Sequence, residues 1–361
     1  MRSPWIRTVF GAQPTCYPHE MSLPSHPRIA VVGVTGAVGR VMLNILAERR
    51  FPHSEVVAIA SKRSEGMKID FNGQELTVRA LDEGVFDQVD LALFDTPDEV
   101  ARLWAPKAVD SGAIAVDNSA AWRMEDDVPL VVPEVNPSDV SRHKGIIASP
   151  NCTTIGVVVP LWPLHREFGL KRVVVSSYQA VSGAGRPGVD ELSDQASKLH
   201  SEFDALAKGR VDGLASEHQV FPATIAFNVV PQVGSVRDNG YTGEEMKLLK
   251  ESRKIMGLAE LALSAACVRV PTVVGHGSSV LATFEGAADA RRARDALENA
   301  PGVKVVELSD ALSAAGGDDC LVSRLRVDVN DPHSLWFFTS SDNLRKGAAT
   351  NAVQVAELLF A

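Results

Sequence analysis

From Arg28 onward, short apolar and β-branched runs alternate with longer stretches in which apolar side chains recur every three or four positions. The runs Ile29 to Val32, Val56 to Ala60, Leu91 to Phe94 and Ile114 to Asp117 have strand length and little alternation, as strands covered on both faces do. Between them, Val38 to Arg50 and Pro97 to Asp110 carry helical spacing. Strands separated by helices imply βαβ units and a parallel sheet, so this half reads as an α/β, Rossmann-type doubly wound dinucleotide-binding domain.

After Pro150 the pattern changes. Extended runs at Arg172 to Gln179, Leu263 to Val270, Ser279 to Phe284, Leu321 to Val329 and Leu335 to Ser340 predict an α+β domain whose sheet is mostly antiparallel, with helices on one side. Leu344, Ala348, Ala352, Val355 and Leu359 return to helical spacing, and this final helix is expected to lie back on the first domain. The expected division is a loose extension at 1–27, a first domain at 28–151 completed by a helix at 343–361, and a second domain at 152–342. No internal repeat or low-complexity tract interrupts it.

A chain of 361 residues, 45% hydrophobic and 22% charged, can fill two cores. Its net charge of −9 offers no basic face for nucleic acid, and no such partner is expected. The four cysteines, Cys16, Cys152, Cys267 and Cys320, show no CxxC pairing, so neither a zinc site nor a redox dithiol is predicted; a reducing, cytoplasmic setting fits them. No apolar run approaches the roughly 20 residues that cross a bilayer, and no membrane partner is expected. Prolines at 4, 14, 18, 24 and 27 keep the first residues loose, and Met21 is favoured as the true start over an organelle-targeting peptide.

Three places carry candidate chemistry. The first strand runs into Gly33, Thr35, Gly36, Ala37, Val38 and Gly39, where small residues and free helix amides suit a pyrophosphate; the spacing GxxGxxG would equally serve a tight turn alone. At the end of the second strand, where an acid would hold the ribose of NAD, the chain has Ser61, Lys62, Arg63 and Ser64. That favours the 2′-phosphate of NADP, with a solvated basic loop as the plain alternative. Cys152, in Ser149-Pro150-Asn151-Cys152-Thr153-Thr154, would sit at a helix amino end that lowers its thiol pKa; an inert buried cysteine would look similar. His276, in a Gly275-His276-Gly277 loop, is the best-placed proton carrier among nine histidines.

Taken in order, the Gly33 to Gly39 turn, the SPNCTT segment, YQAVSGAG at Tyr178 to Gly185 and RVP…GH at Arg269 to His276 resemble the aspartate-semialdehyde dehydrogenases. The likeness spans Arg28 to the carboxyl end. It implies that Cys152 is the acyl-thioester nucleophile, His276 the general acid/base, and Gln179 the residue that orients the substrate or the tetrahedral intermediate. Arg269 would hold the substrate α-carboxylate and Glu244 its ammonium. Lys247 with Arg123 would receive phosphate, with Asn118 and Ser119 near that path. Cofactor contacts implied in the same way are Thr35, Gly36, Ala37, Val38, Arg63, Ser64, Ser182, Gly183 and Asn343.

The activity so implied is NADPH-dependent reductive dephosphorylation of β-aspartyl phosphate to aspartate semialdehyde, releasing phosphate, by a homodimer or homotetramer paired through the second domain. A phosphorylating glyceraldehyde-3-phosphate dehydrogenase and an N-acetyl-glutamyl phosphate reductase share the thioester chemistry and rank behind. A dinucleotide-binding protein without catalysis conflicts with the presence of Cys152. One departure stands out: many members have a small Ser/Gly-rich stretch after the fourth strand, where this chain has Phe94-Asp95-Thr96-Pro97-Asp98-Glu99. Acids there would repel a pyrophosphate, so they are expected to face solvent or to cap a helix with Asp95 or Thr96.

Overall fold

A computed structural model describes residues 23–210 and 218–360. The first sheet is built from β1 (Arg28–Val32), β2 (Glu55–Ala60), β5 (Arg79–Ala80), β6 (Leu91–Phe94), β7 (Ile114–Asp117) and β8 (Ile146–Ala148), with a separate hairpin of β3 (Lys68–Phe71) and β4 (Gln74–Thr77). Its order is β5-β2-β1-β6-β7-β8, and every pair in it is parallel. Helices α1 (Ala37–Glu48) and α2 (Asp98–Asp110) connect the strands. One apolar layer holds Ile29, Val31, Met42, Ile45 and Leu93; a second, on the other face, holds Val32, Ile59, Phe94, Ala105 and Ala108. Covering on both faces is why these strands lack alternation.

Helix α3 (Cys152–Phe168) leads into the second half, followed by β9 (Leu170–Gln179), helices α4 (Gly185–Leu199) and α5 (Gly243–Met256), β10 (Ala262–Arg269) and β11 (His276–Phe284). Helix α6 (Ala290–Glu298) and strands β12 (Val303–Val305), β13 (Cys320–Val327) and β14 (Ser334–Ser341) complete it. The second sheet has the order β10-β9-β11-β14-β13-β12; its three central pairs are antiparallel and the two outer pairs parallel. Val157, Val158, Leu161 and Leu164 of α3 pack with Val173, Val175, Val280 and Phe337 of the sheet.

The chain then passes through one π-helical turn, Arg345–Ala349, into α7 (Thr350–Glu357). Ala352, Val353, Val355 and Ala356 join the first sheet's apolar layer beside Met42 and Val116. Lys346, fully buried, is held 2.7 Å from both carboxylate oxygens of Glu134 and 2.7 Å from Gln354 Oε1. Residues 1–22 of the expected loose extension lie outside the described residues, but its last residues are not loose. Leu23 is buried, donates its N–H to Leu359 O at 2.8 Å and bridges Phe360, because an apolar side chain beside the carboxyl-terminal layer gains by joining it. Among the described residues, no helix is long and apolar enough to cross a membrane.

Candidate active site

Register places the key side chains at one end of three adjacent strands. Gln179 ends β9 directly opposite Arg269 at the end of β10, and Tyr178 pairs with Gly277, so His276 emerges beside Gln179. His276 does not lie in a loop flanked by glycines. It starts β11, and Gly275 alone makes the turn, at φ +90° with its α-carbon so close to Ala311 O that a side chain would come within 2.2 Å.

Cys152 is the first residue of α3. Asn151 caps that helix, its Oδ1 accepting from the Thr153 and Thr154 amides at 2.9 and 3.3 Å while its Nδ2 donates to Glu244 Oε1 at 2.9 Å. The thiol comes 3.3 Å from His276 Nε2. On the ring's other side the Ala180 N–H donates to Nδ1 at 3.1 Å. An amide can only donate, so this network assigns the ring proton to Nε2, facing sulfur.

The electrostatics differ from the helix-end expectation. Burial first, and then the Glu244 charge, push the Cys152 thiol up to about 11, although Arg123, Arg269 and the Thr153 amide pull it down. Desolvation outweighs the helix end because the partly buried sulfur is packed against the His276 ring on one side and the Gly347 backbone on the other. His276 is lowered to about 3 by burial and then by the Arg269 guanidinium, with the Gly275 backbone opposing. The ligand-free pair is therefore a neutral thiol and a neutral imidazole.

Around the sulfur stand opposite charges in separate places. Arg269, buried, donates to Ala180 O at 2.7 Å and lies over the Phe221 ring at 5.7 Å. Glu244, in the first turn of α5, receives Gln179 Nε2 at 3.3 Å and lies 3.6 Å from Lys247 Nζ. Gln179 Nε2 also donates to Ser177 Oγ at 3.2 Å. Arg123 is buried and already bonded to Ser149 O, Glu251 Oε1 and Asn118 O at 3.0, 3.1 and 2.6 Å. Ser119 Oγ donates to Asp117 Oδ2 at 2.5 Å, while the buried Asn118 amide lies beside the Asp95 carboxylate.

The expected cofactor residues form two groups. Gly36 precedes α1 with no side-chain cap, leaving the amides of its first turn free, and a side chain on Gly39 would come within 2.4 Å of Gly33 O. Those features fit a pyrophosphate. Arg63 and Ser64 occupy a short turn after β2, where Lys62 is tied to Glu65 at 2.6 Å. Across the cleft, Asn343 Nδ2 donates to Ser182 Oγ at 2.9 Å and its Oδ1 accepts the Gly275 amide at 2.9 Å. A side chain on Gly183 would come within 2.9 Å of Arg269 and 3.4 Å of the His276 ring.

At the loop after β6 the expected exposure of the acids holds for Asp98 and Glu99 but not for Asp95, and the expected cap fails. Asp95 and Thr96 do not cap a helix: α2 starts at Asp98 behind Pro97, with no side-chain cap, and Asp98 instead accepts the Ala120 amide at 2.9 Å. Asp95 does not simply face solvent either; it turns inward beside Asp117, and burial followed by the Asp117 charge raises it to about 6. Pro97 itself occupies the N-cap position of α2, which leaves Thr96 one residue and Asp95 two residues too early to reach the free amides.

Three site residues escape sequence reading. Glu251, almost fully buried, accepts both Arg123 and the Asn151 amide, the latter at 2.7 Å. Its signal was present: Glu244, Lys247 and Glu251 are spaced three and four apart on one face of α5. Asn151 was legible only as part of a motif. Gly347 gave no signal at all, yet a side chain there would meet Cys152 Cβ at 2.8 Å.

A dinucleotide-type crevice facing a cysteine, a histidine and an Arg/Glu pair defines a two-domain semialdehyde dehydrogenase. Residues 28–143 match the family "Semialdehyde dehydrogenase, NAD binding domain" and residues 161–346 match "Semialdehyde dehydrogenase, dimerisation domain". The aspartate-semialdehyde dehydrogenase of Aquifex aeolicus is 47% identical over 341 residues, covering 92% of this chain and 97% of that protein. That of Mycolicibacterium smegmatis is 47% identical over 344 residues, covering 92% and 99%. The crystal structure of aspartate semialdehyde dehydrogenase II from Vibrio cholerae, complexed with ASA, superposes with a TM-score of 0.87 at 40% identity, covering 93% and 98%. The chain belongs to the aspartate-semialdehyde dehydrogenase family, oxidoreductases of amino-acid biosynthesis with an NAD(P)-binding domain.

Proposed function

We propose that this protein catalyses the reversible, NADPH-dependent reductive dephosphorylation of β-aspartyl phosphate to aspartate semialdehyde, through a thioester on Cys152, as a homodimer or homotetramer in the cytoplasm. The product would feed biosynthesis of lysine, threonine, methionine and diaminopimelate. The observation that carries the reading is the 3.3 Å approach of Cys152 Sγ to His276 Nε2 beside an Arg269 and Glu244 pair.

Arg269 takes the substrate α-carboxylate and Glu244 its ammonium, which fixes the acyl carbon against the sulfur. Occupation of Glu244 by an ammonium also removes one charge that disfavours the thiolate. Sulfur attacks the acyl carbon, the C–O bond to phosphate breaks as the thioester forms, and the thiol proton leaves with the departing phosphate, because both ring nitrogens of His276 are already engaged. Lys247 receives the departing phosphate; Arg123, already bonded on three sides, adds its charge and its remaining N–H groups. When bound, the dinucleotide supplies hydride to the thioester carbon. His276 Nε2–H then hydrogen-bonds the oxygen or sulfur on which negative charge develops, a proton taken from solvent restores the thiol, and Gln179 holds that oxygen's position.

NADP is favoured over NAD because Lys62 is occupied by Glu65, whereas Arg63 forms no ion pair among the described residues and is exposed where the second strand ends. Exposed Tyr178, Leu308 and Leu312 on the second domain's open side favour pairing of two copies there. The test is steady-state turnover of aspartate semialdehyde plus phosphate with each dinucleotide. C152A should abolish turnover and retain NADPH binding; R63A should raise the KM for NADP at least tenfold and leave NAD nearly unaffected. Undiminished turnover in C152A refutes the nucleophile.

A further inference from the structure

The first sheet reverses its winding between β1 and β6: the chain moves outward from β1 to β2 on one side and returns through β6, β7 and β8 on the other. Ligands of such sheets bind outside the carboxyl ends of the strands at that reversal. Asp95 is the first residue beyond β6, so it stands at the reversal itself. Its carbonyl abuts Gly33 so closely that a side chain there would come within 2.0 Å, and its Oδ2 reaches within 3.6 Å of where a side chain on Gly36 would begin. An acid thus lies against the helix end that suits phosphate best.

Asp95 has an acidic neighbour. Phe94 and Asp117 are in register across β6 and β7, which brings Asp117 alongside. Asp117 is fully buried; its Oδ2 is taken by Ser119, but its Oδ1 has no partner, and neither does Thr96 Oγ1. The other charged groups facing the pair are Asp98 from α2 and Arg123 from the loop after β7. The turn from Thr35 to Val38 contributes no ionisable side chain. Burial raises both acids to about 6; at Asp95 the Asp117 charge adds to this and the Asn118 side chain opposes it, while at Asp117 Ser119 and Arg123 oppose it and Asp98 adds to it.

We infer that Asp95 takes up a proton from solvent when a dinucleotide binds, presenting an O–H donor instead of a carboxylate to the phosphate side of the cleft. This rests on the reading that the cleft holds NADP. A pyrophosphate brings further negative charge to a place where two carboxylates already crowd one another. Protonation relieves the repulsion and converts Asp95 into a hydrogen-bond donor. The free pair sheds its proton as pH rises through about 6, whereas the complex keeps it to higher pH. Affinity is therefore full below that value and weakens above it, by up to about tenfold per pH unit.

Calorimetric titration of the full chain with NADPH, on the alkaline side of neutrality and in buffers of different ionisation enthalpy, counts the protons taken up. The 2′-phosphate of NADPH also titrates, so the comparison is between wild type, D95N and D95S, and NADH provides a second ligand without that group. Wild type should take up more protons than either variant, approaching one, with NADH as well as NADPH. D95N should bind more tightly at alkaline pH and lose most of the pH slope. Equal proton counts in wild type and both variants, with binding intact, overturn the role of Asp95 alone. Absence of dinucleotide binding by wild type at every pH removes the cofactor reading and this inference with it.

Discussion

Replacing Gly347 with alanine adds one carbon atom to the wall behind the nucleophile. Gly347 lies in the π-helical turn, and its new methyl would sit 2.8 Å from Cys152 Cβ, 3.2 Å from Cys152 Cα and 3.4 Å from Asp342 O. The first contact is too short to persist, so either the start of α3 or the turn itself must move by several tenths of an ångström. Alanine in a helix is ordinarily worth about 1 kcal/mol over glycine. Overpacking here costs about 1–3 kcal/mol, so the net loss of stability should be about 0–2 kcal/mol. Activity is the more sensitive readout, because the displacement falls on the 3.3 Å sulfur-to-imidazole approach. A misplacement on the order of 1 Å costs about 100-fold, or about 2.7 kcal/mol. Turnover followed through absorbance of the reduced dinucleotide should fall between about 10- and 100-fold in G347A, with its dissociation constant for NADPH nearly unchanged. Wild-type turnover in a folded G347A would refute the claim that this glycine sets the sulfur's position.

The neutral thiol and imidazole make a pH prediction: alkylation of Cys152 in the ligand-free protein should accelerate throughout the alkaline range toward about 11, and a plateau near neutrality would instead reveal a thiolate–imidazolium pair. R269K keeps the charge but loses the planar fork, so kcat/KM for the semialdehyde should drop on the order of 100-fold, mainly through KM; an unchanged KM would remove Arg269 from carboxylate binding. K346M leaves Glu134 buried without its cation, and denaturant unfolding should show a loss of about 3–5 kcal/mol, partly restored in the K346M/E134Q double variant. E251Q keeps the acceptor for the Asn151 amide while discarding the charge beside Arg123, so KM for phosphate should change more than NADPH affinity does.

The parallel half was readable because each strand is apolar on both faces and each connecting helix has one periodic stripe; Leu91–Phe94 and Ile114–Asp117 agree residue for residue. Helix ends were less legible. The stripe ran on to Arg50, but α1 stops at Glu48, and Arg50 takes a left-handed φ of 50°. The β3–β4 hairpin was passed over although Asn72-Gly73, at φ 53° and 81°, is the dipeptide that such a turn requires. At the site, residues carried by contiguous motifs, such as Cys152, Gln179, Arg269 and His276, could be named from sequence and the structure brings them together. Helical spacing puts Glu251 on the face of Glu244 and Lys247, but its contacts with Arg123 and Asn151, like that of Gly347 with Cys152, join residues some 100 or 200 positions apart, and nothing local in the chain encodes those partners. The raised pKa of Cys152 departs from the helix-end expectation because packing of His276 and Glu244 around the sulfur is a tertiary property.

Whether sulfur at position 152 carries the acyl group is the claim on which the chemistry rests. Mass spectrometry of the protein mixed with β-aspartyl phosphate and no dinucleotide, quenched in acid and digested, addresses it directly. The peptide containing Cys152 should gain the aspartyl mass, hydroxylamine should remove it, and C152A should show none. An adduct on any other residue, or turnover that continues while Cys152 never acquires one, would contradict the account.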